Sequence, residues 1–330
     1  MRTRYVVLAG ILVLAGACDD GSSPTSPNNP AQPEITSDLQ GTVQFDGKVH
    51  IFPVRGRQAP PTAGQAGTGI FYHGGPIIPA TRVQAIYWAT KRVYGNGPAP
   101  GATGTGTQDG SLVGHFLRNL GGSPYFNINT TYTDTVNGGH RVQNSVSYTR
   151  FWADNTGVPP SDGTTVPNSA IIQEIVDGFN SGTLVYNAST LYVVFTAGRT
   201  NLGGGFGTEY CAYHSYFTFN GRVVLFAAQP YNYAFPAACT AQAPSPNNAP
   251  AADAEVNTLA HEIEETTTDP RLNAWFDGRG FENADKCAWT FGQTYTTANG
   301  GIANMNLGGT NFLIQRNWIN SGTGGCRLRA

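Results

Sequence analysis

The sequence has few charged residues and no long apolar segment. Only 12% of its 330 residues are Asp, Glu, Lys or Arg, and the formal net charge is -2. This balance gives no electrostatic reason to expect nucleic acid as a partner. The apolar run at residues 5–17 is too short to cross a bilayer as an ordinary helix. The cysteines show no C-x-x-C spacing, which argues against a zinc-thiolate site.

The N-terminus predicts export. Arg2 and Arg4 precede the apolar run, and small residues follow it, which is the pattern of a secretory signal peptide over residues 1–18. Cys18 then stands where a bacterial lipoprotein carries its lipidated cysteine, so any membrane attachment is expected through a lipid anchor at Cys18. Cleavage and release is the alternative, because Ala15 occupies a position where that motif usually has leucine.

Four further cysteines predict two disulfides, for which three pairings exist. Sequence order favours Cys211 with Cys239 and Cys287 with Cys326, because each pair closes a modest loop. An exported protein provides the oxidising environment that such bonds require.

The chain divides into a polar N-terminal part and one domain. Residues 19–61 are rich in Pro, Ser, Asn and Gln and predict a disordered linker with one weak strand near residues 49–54. Residues 62–330 form the domain. Hydrophobic periodicity predicts strands at 83–88, 125–132, 142–148, 191–195 and 223–227, and helices at 112–120, 168–180 and from about 250. By analogy of architecture, this order predicts an α+β, zincin-like domain with a twisted mixed sheet, a metal-motif helix and a loop-rich, disulfide-linked C-terminal part.

The last of these helices contains an H-E-x-x-E motif. His261 and Glu265 are four residues apart, so both can point at one metal ion from the same helix face. Glu262 lies beside His261, where the related H-E-x-x-H motif places the general base that activates a metal-bound water. Val256 and Ile263 lie roughly opposite and predict an apolar face that packs on the sheet.

The remaining ligands are expected from beyond this helix. Glu282 is the preferred third metal ligand, and Asp285 is expected to orient His261 from the second coordination shell or to ligate. Asp269 and Asp277 are the alternatives for the third position. Zinc is the predicted cofactor, although a carboxylate in place of the second histidine makes calcium or manganese possible.

Each of these residues also has a purely structural interpretation. A glutamate-rich helix is commonly a solvated face, and His73 and His214 are expected to be structural, although His214 could line a cleft. Glu174 and Asp177 are expected to be solvated on the outer face of the helix at 168–180.

Several short motifs resemble the phosphate-induced, EXORDIUM-like family. They share their residue types and their order along the chain, from about residue 70 to the C-terminus: Tyr72-His73-Gly74-Gly75-Pro76-Ile77-Ile78, Ile86-Tyr87-Trp88, Cys211-Ala212-Tyr213-His214, Thr268-Asp269-Pro270, Asn273-Ala274-Trp275, Phe312-Leu313-Ile314-Gln315, Cys287 and Cys326. The resemblance implies an exported or wall-associated protein with no established activity. It also implies that plant members lack the His-Glu pair, whereas bacterial and fungal members keep it.

Two functions follow as hypotheses. The first is an exported, zinc-dependent peptidase-like hydrolase that acts on a peptide or protein. The second is a non-catalytic, secreted protein that binds a cell-surface or wall polymer, with any metal purely structural.

Overall fold

The computed structural model of the protein describes residues 41–57, 69–156, 163–198 and 200–330. The predicted signal peptide and Cys18 lie outside these residues. The strands are β1 Val43–Gln44, β2 His50–Pro53, β3 Phe71–Tyr72, β4 Thr81–Trp88, β5 Thr103–Thr105, β6 Val146–Trp152, β7 Thr190–Thr196, β8 Tyr210–Phe219, β9 Arg222–Gln229, β10 Trp275–Phe276, β11 Tyr295–Thr296, β12 Ile302–Ala303, β13 Met305–Leu307, β14 Thr310–Phe312, β15 Asn317–Ile319 and β16 Gly325–Arg327. The α-helices are α1 Leu112–Leu120, α2 Asn168–Asn180, α3 Pro236–Cys239 and α4 Pro250–Thr268. Single 3₁₀ turns are Gly106–Gln108, Phe126–Thr131, Val136–Gly138, Asn232–Ala234 and Asp285–Cys287.

The core is a mixed eight-stranded sheet. Its central strands run β9-β7-β4-β6 and pair in parallel. Antiparallel strands complete both edges, β5 beside β6 and β8 beside β9. Both β1 and β2 pair antiparallel with the outer side of β8. The short N-terminal strands therefore cover an edge that would otherwise present unpaired backbone groups.

Helices cover both faces of this sheet. Along β4, Val83 and Ala85 point into one hydrophobic cluster with α1 and α4, whereas Ile86 points into a second cluster with α2. This alternation is the period of two that a strand imposes on its side chains. Each such fully buried aliphatic side chain contributes about 1.5–3 kcal/mol to folding. Helix α4 packs directly against β8 and β9.

Helix α4 is buried almost along its entire length. Pro250 occupies its first turn, where the missing N–H is tolerated, and every residue from Ala254 to Thr268 is buried. Glu264, on the side away from the sheet, accepts hydrogen bonds from the amides of Asn129 at 2.5 Å and Asn317 at 2.6 Å. The interpretation of this helix as a solvated glutamate face is therefore wrong.

Two local predictions also differ from the structure. Residues 125–132, predicted as a strand, form the 3₁₀ turn Phe126–Thr131, because the hydroxyls of Thr130 and Thr131 bond to carbonyls three residues back. The predicted linker extends to residue 61, but β1 and β2 lie in the sheet and Phe52 is fully buried. Ordered structure therefore begins well before residue 62.

The main elements and both disulfides match the prediction. The strands at 83–88, 191–195 and 223–227 and the helices at 112–120 and 168–180 are present. Cys211 is bonded to Cys239 and Cys287 to Cys326. The C-terminal part consists of two-stranded hairpins joined by turns. The α+β class with a mixed sheet core is confirmed. Among the described residues, no helix has the length and apolar character needed to cross a membrane.

Candidate metal centre

One buried group of histidines and carboxylates lies where β2, β8, α4 and the turn before Cys287 meet. It contains three of the chain's six histidines and four carboxylates. We call it the His-carboxylate cluster, and its members are His50, His214, His261, Glu262, Glu265, Glu282 and Asp285.

Helix α4 places His261 and Glu265 together, as their spacing predicts. The Nε2 atom of His261 lies 3.0 Å from Oε1 of Glu265. On the other side of the ring, the side-chain amide of Gln315 contacts Nδ1 at 3.0 Å. Phe52 stacks on the face of the ring, with the centroids 3.9 Å apart. These contacts hold the ring so that Nε2 faces the carboxylates.

The segment after α4 brings in Glu282 and Asp285. The backbone N–H of Asp285 donates to Oε1 of Glu265 at 2.9 Å, and the N–H of Glu282 donates to Oδ2 of Asp285 at 3.2 Å. Oδ1 of Asp285 then lies 3.5 Å from Nε2 of His261. Asp285 and Gln315 therefore lie on opposite sides of the His261 ring, Asp285 beside Nε2 and Gln315 beside Nδ1.

Strand pairing supplies the two other histidines. His50 on β2 lies directly opposite His214 on β8, and their ring centroids are 5.5 Å apart. Nε2 of His214 lies 3.6 Å from Oε2 of Glu265 and 3.5 Å from Oε2 of Glu282. His214 therefore lies inside the cluster, beside the carboxylates of Glu265 and Glu282.

His50 was not predicted from the sequence, because it lies in the supposed linker. Its Nε2 atom is 2.6 Å from Oδ2 of Asp285, and its Nδ1 atom is 3.3 Å from Oε1 of Glu282. The weak strand expected near residues 49–54 is the signal that could have found it. Because the chain has only six histidines, a histidine on a predicted strand could have been considered as a candidate ligand together with the other five.

The cluster is closed to solvent except at His50, whose side chain is 19% exposed. The side chains of His214, His261 and Glu265 are fully buried. Within the described part of the chain, neither ring nitrogen of His214 and neither carboxylate oxygen of Glu262 has a hydrogen-bond partner. Buried polar atoms normally find partners, so these atoms indicate a ligand.

Burial dominates the proton equilibria of the cluster. It lowers the pKa of His261 to about 3 and that of His214 well below its usual range. It also raises the pKa of each of the three cluster glutamates well above its ordinary value. For His50, burial acts to lower the pKa, but the charges of Asp285 and Glu265 outweigh it and raise the pKa to about 9. Burial therefore disfavours the charged forms of the three glutamates and of His214 and His261, whereas His50 keeps its charge beside Asp285.

The two alternative ligands differ in their surroundings. Asp277 accepts a hydrogen bond from the buried Lys286 at 2.9 Å. Asp269 ends α4, where its Oδ1 atom accepts the backbone N–H groups of Asn273 at 2.6 Å and Ala274 at 2.7 Å. The Oδ2 atom of Asp269 has no hydrogen-bond partner among the described residues, and the charge of Asp269 acts on Glu282 and His50.

Three other titratable residues also have defined positions outside the cluster. His73 is exposed and stacks on Phe276. Glu174 is only 5% exposed, so its expected solvation is wrong, whereas Asp177 on the same helix is exposed.

The fold and the site define a class: a disulfide-bonded α+β protein with a buried His-carboxylate cluster against a mixed sheet. The model of the phosphate-induced protein 1 conserved region matches residues 121–315. This is more than half of the chain, so the chain belongs to that family. His50 lies outside the matched residues.

A curated relative and the disulfides agree with this assignment. The chain is similar to Protein EXORDIUM-like 5 of Arabidopsis thaliana, with 23% identity over 332 residues that cover 88% of this chain and 82% of the relative. No solved structure matches the chain. The two disulfides and the family indicate a secreted or extracellular protein.

Proposed function

We propose that this protein is a secreted, non-catalytic binding protein whose His-carboxylate cluster holds a divalent transition metal as a structural element. The observation that carries the proposal is the convergence of buried ligand atoms from four separate segments, β2, β8, α4 and the turn before Cys287. A metal there fastens the N-terminal strands to the sheet and to the C-terminal part. A cell-surface or wall polymer remains the proposed partner, and a lipid anchor at Cys18 remains the proposed membrane attachment.

The burial of the cluster favours a structural metal over a catalytic one. A general base must come within hydrogen-bond reach of the substrate or its attacking water. Glu262 is fully buried, and Phe52 on β2 stacks on His261. With β2 paired to β8, a peptide carbonyl has no route to this carboxylate. A catalytic zinc site also keeps one coordination position open for water or substrate, and a cluster closed to solvent does not favour such a position.

The donor set favours Zn²⁺, Mn²⁺ or Fe²⁺ over Ca²⁺. Calcium takes six to eight oxygen ligands, whereas this cluster offers three imidazoles. Imidazole suits zinc and iron, and carboxylate suits manganese. Calcium, an alternative from the sequence, therefore fits the cluster least well.

A zincin-like peptidase is the second candidate. The position of Glu262 favours it, since this carboxylate follows His261 directly and both of its oxygens lack a partner among the described residues. Such an enzyme would need β2 to leave the cluster before a substrate could enter.

Metal analysis and chelation test the structural proposal. The mature chain, purified from an oxidising compartment and dialysed against Zn²⁺, is expected to retain metal that is lost in His261→Ala and kept in His73→Ala, a matched change at an exposed histidine. At free metal a thousandfold above Kd, binding adds about 4 kcal/mol to the free energy of unfolding. Chelation should therefore lower Tm by about 10 °C.

The two candidates differ in turnover. The structural proposal predicts no metal-dependent cleavage of a mixed peptide library, whereas a peptidase would cleave it and lose that activity in Glu262→Gln. A wild-type chain that retains no metal after reconstitution would contradict both candidates.

A further inference from the structure

We propose that the His-carboxylate cluster binds two divalent metal ions bridged by Glu265. This proposal rests on the proposed metal-binding function and deepens it. Its starting point is that the two oxygens of Glu265 face different histidines. Oε1 lies 3.0 Å from Nε2 of His261, whereas Oε2 lies 3.6 Å from Nε2 of His214. A carboxylate in this position can bind one ion through each oxygen.

The first subsite consists of His261, Glu265 and Asp285. Nε2 of His261 lies 3.0 Å from Oε1 of Glu265 and 3.5 Å from Oδ1 of Asp285. Four tetrahedral ligands at about 2.1 Å from a zinc ion are about 3.4 Å from one another. Both separations from Nε2 of His261 are compatible with one ion between these side chains, and ligand atoms of His50, Glu265 and Asp285 lie within 4.8 Å of one another.

The second subsite consists of His214, Glu265 and Glu282, with Glu262 beside them. Nε2 of His214 lies 3.6 Å from Oε2 of Glu265 and 3.5 Å from Oε2 of Glu282. Ligand atoms of His214, Glu262 and Glu265 all lie within 4.8 Å of one another. Among the described residues, the buried atoms without hydrogen-bond partners at this subsite include both nitrogens of His214, both oxygens of Glu262 and one oxygen each of Glu265 and Glu282. A single ion at the first subsite leaves them without partners.

His50 closes the space between the subsites from the rim. Its Nε2 atom is 2.6 Å from Oδ2 of Asp285 and 3.7 Å from Oε2 of Glu265. Its Nδ1 atom is 3.3 Å from Oε1 of Glu282. The ring thus contacts carboxylates of both subsites and can complete the coordination of either ion.

Charge balance independently favours two ions. The four cluster carboxylates carry four negative charges when ionised, so one divalent ion leaves two charges uncompensated in a buried site. In the described ranges, the only side-chain cations within 4.0 Å of them are histidines. An unpaired buried charge is strongly destabilising. Two divalent ions with three neutral imidazoles balance these four carboxylates, and the buried Asp269 adds a further negative charge beside them.

Manganese titration of the metal-free, full mature chain tests this inference. Mn²⁺ content is measured by elemental analysis after dialysis, and low-temperature electron paramagnetic resonance reports whether neighbouring ions are exchange-coupled, as ions about 3.5–4 Å apart should be. We expect two Mn²⁺ per chain with a coupled spectrum. One ion with an uncoupled spectrum would overturn the two-ion inference and leave the proposed function intact, whereas no bound ion would overturn both.

A substitution at the second subsite provides the matched comparison. Glu282→Gln preserves side-chain size but removes a charged ligand, so it is expected to lower the content from two ions to one and to abolish the coupling. His73→Ala, outside the cluster, is expected to keep two coupled ions. If Glu282→Gln still holds two coupled ions, this subsite is wrongly assigned. The wild-type spectrum decides the number of ions even if this variant fails to fold.

Discussion

Phe52→Ala separates the contribution of β2 to the stability of the fold from its contribution to the metal centre. Phe52 is fully buried and stacks between His261, at 3.9 Å, and Trp289, at 4.6 Å. Removing a buried phenylalanine typically costs about 3–5 kcal/mol, and its full enclosure places this site in the upper part of that range. Urea unfolding in excess chelator measures this loss without a contribution from metal.

The same substitution should accelerate metal loss. The stacked ring shields His261 from water, and an aromatic pair of this kind contributes about 0.5–1.5 kcal/mol beyond burial. That free energy corresponds to roughly a 2- to 13-fold change in an equilibrium or rate constant. We therefore expect zinc release into excess chelator, followed by a chromogenic indicator, to become about tenfold faster in Phe52→Ala.

Phe45→Ala is the matched control, because Phe45 belongs to the same N-terminal segment but packs edge-on against Phe226, in the hydrophobic cluster on the α2 side. It should destabilise the chain and leave zinc release from the folded protein unchanged. Equal acceleration by both substitutions would refute the reasoning, since loosening of the whole segment would then explain the release. No acceleration by either would show that β2 does not shield the metal.

Two further predictions concern stability. Burial, followed by nearby carboxylates, raises the pKa of Glu174 from 4.5 to about 9, so the contribution of Glu174 to the free energy of unfolding is highest below pH 4.5 and falls until about pH 9. By pH 7 this loss of stability reaches up to about 3 kcal/mol. Urea unfolding measured across pH should show that Glu174→Gln recovers the lost stability. Asp177→Asn, at an exposed position, should not recover it. Replacing Cys287 and Cys326 together by Ser opens a bridge with a sequence separation of 39 and should cost about 4 kcal/mol in excess chelator. The double variant should also bind zinc more weakly, because Asp285 lies two residues from Cys287; unchanged affinity would show that this bridge does not position the turn.

The sequence predicts the parts of the site that follow from local spacing. The four-residue interval on α4 places His261 and Glu265 together, and Glu282 and Asp285, which follow Asp269 and Asp277 along the chain, are within reach of that helix. The prediction fails for residues that reach the site only through pairing between distant strands. β8 is buried on both faces along most of its length, so the alternation that marks a half-buried strand is hidden and does not show which way His214 points.

The N-terminal boundary fails for a related reason. β2 has four residues and ends in Pro53, within a segment whose composition is that of a linker. Local propensity indicates only a weak strand here. β2 takes its place in the sheet because it pairs with the open edge of β8, and that pairing depends on the tertiary structure. His50 enters the cluster only through this pairing.

The contact between His50 and Asp285 joins residues 235 positions apart in the chain. Contacts of such separation form late in folding, because the chain loses loop-closure entropy before they contribute stability. The cluster is therefore incomplete until the N-terminal strands and residues 282–287 have come together in the folding chain. A metal ion bound as proposed would be captured only after that step, so a bound ion would distinguish fully folded chains from partly folded ones.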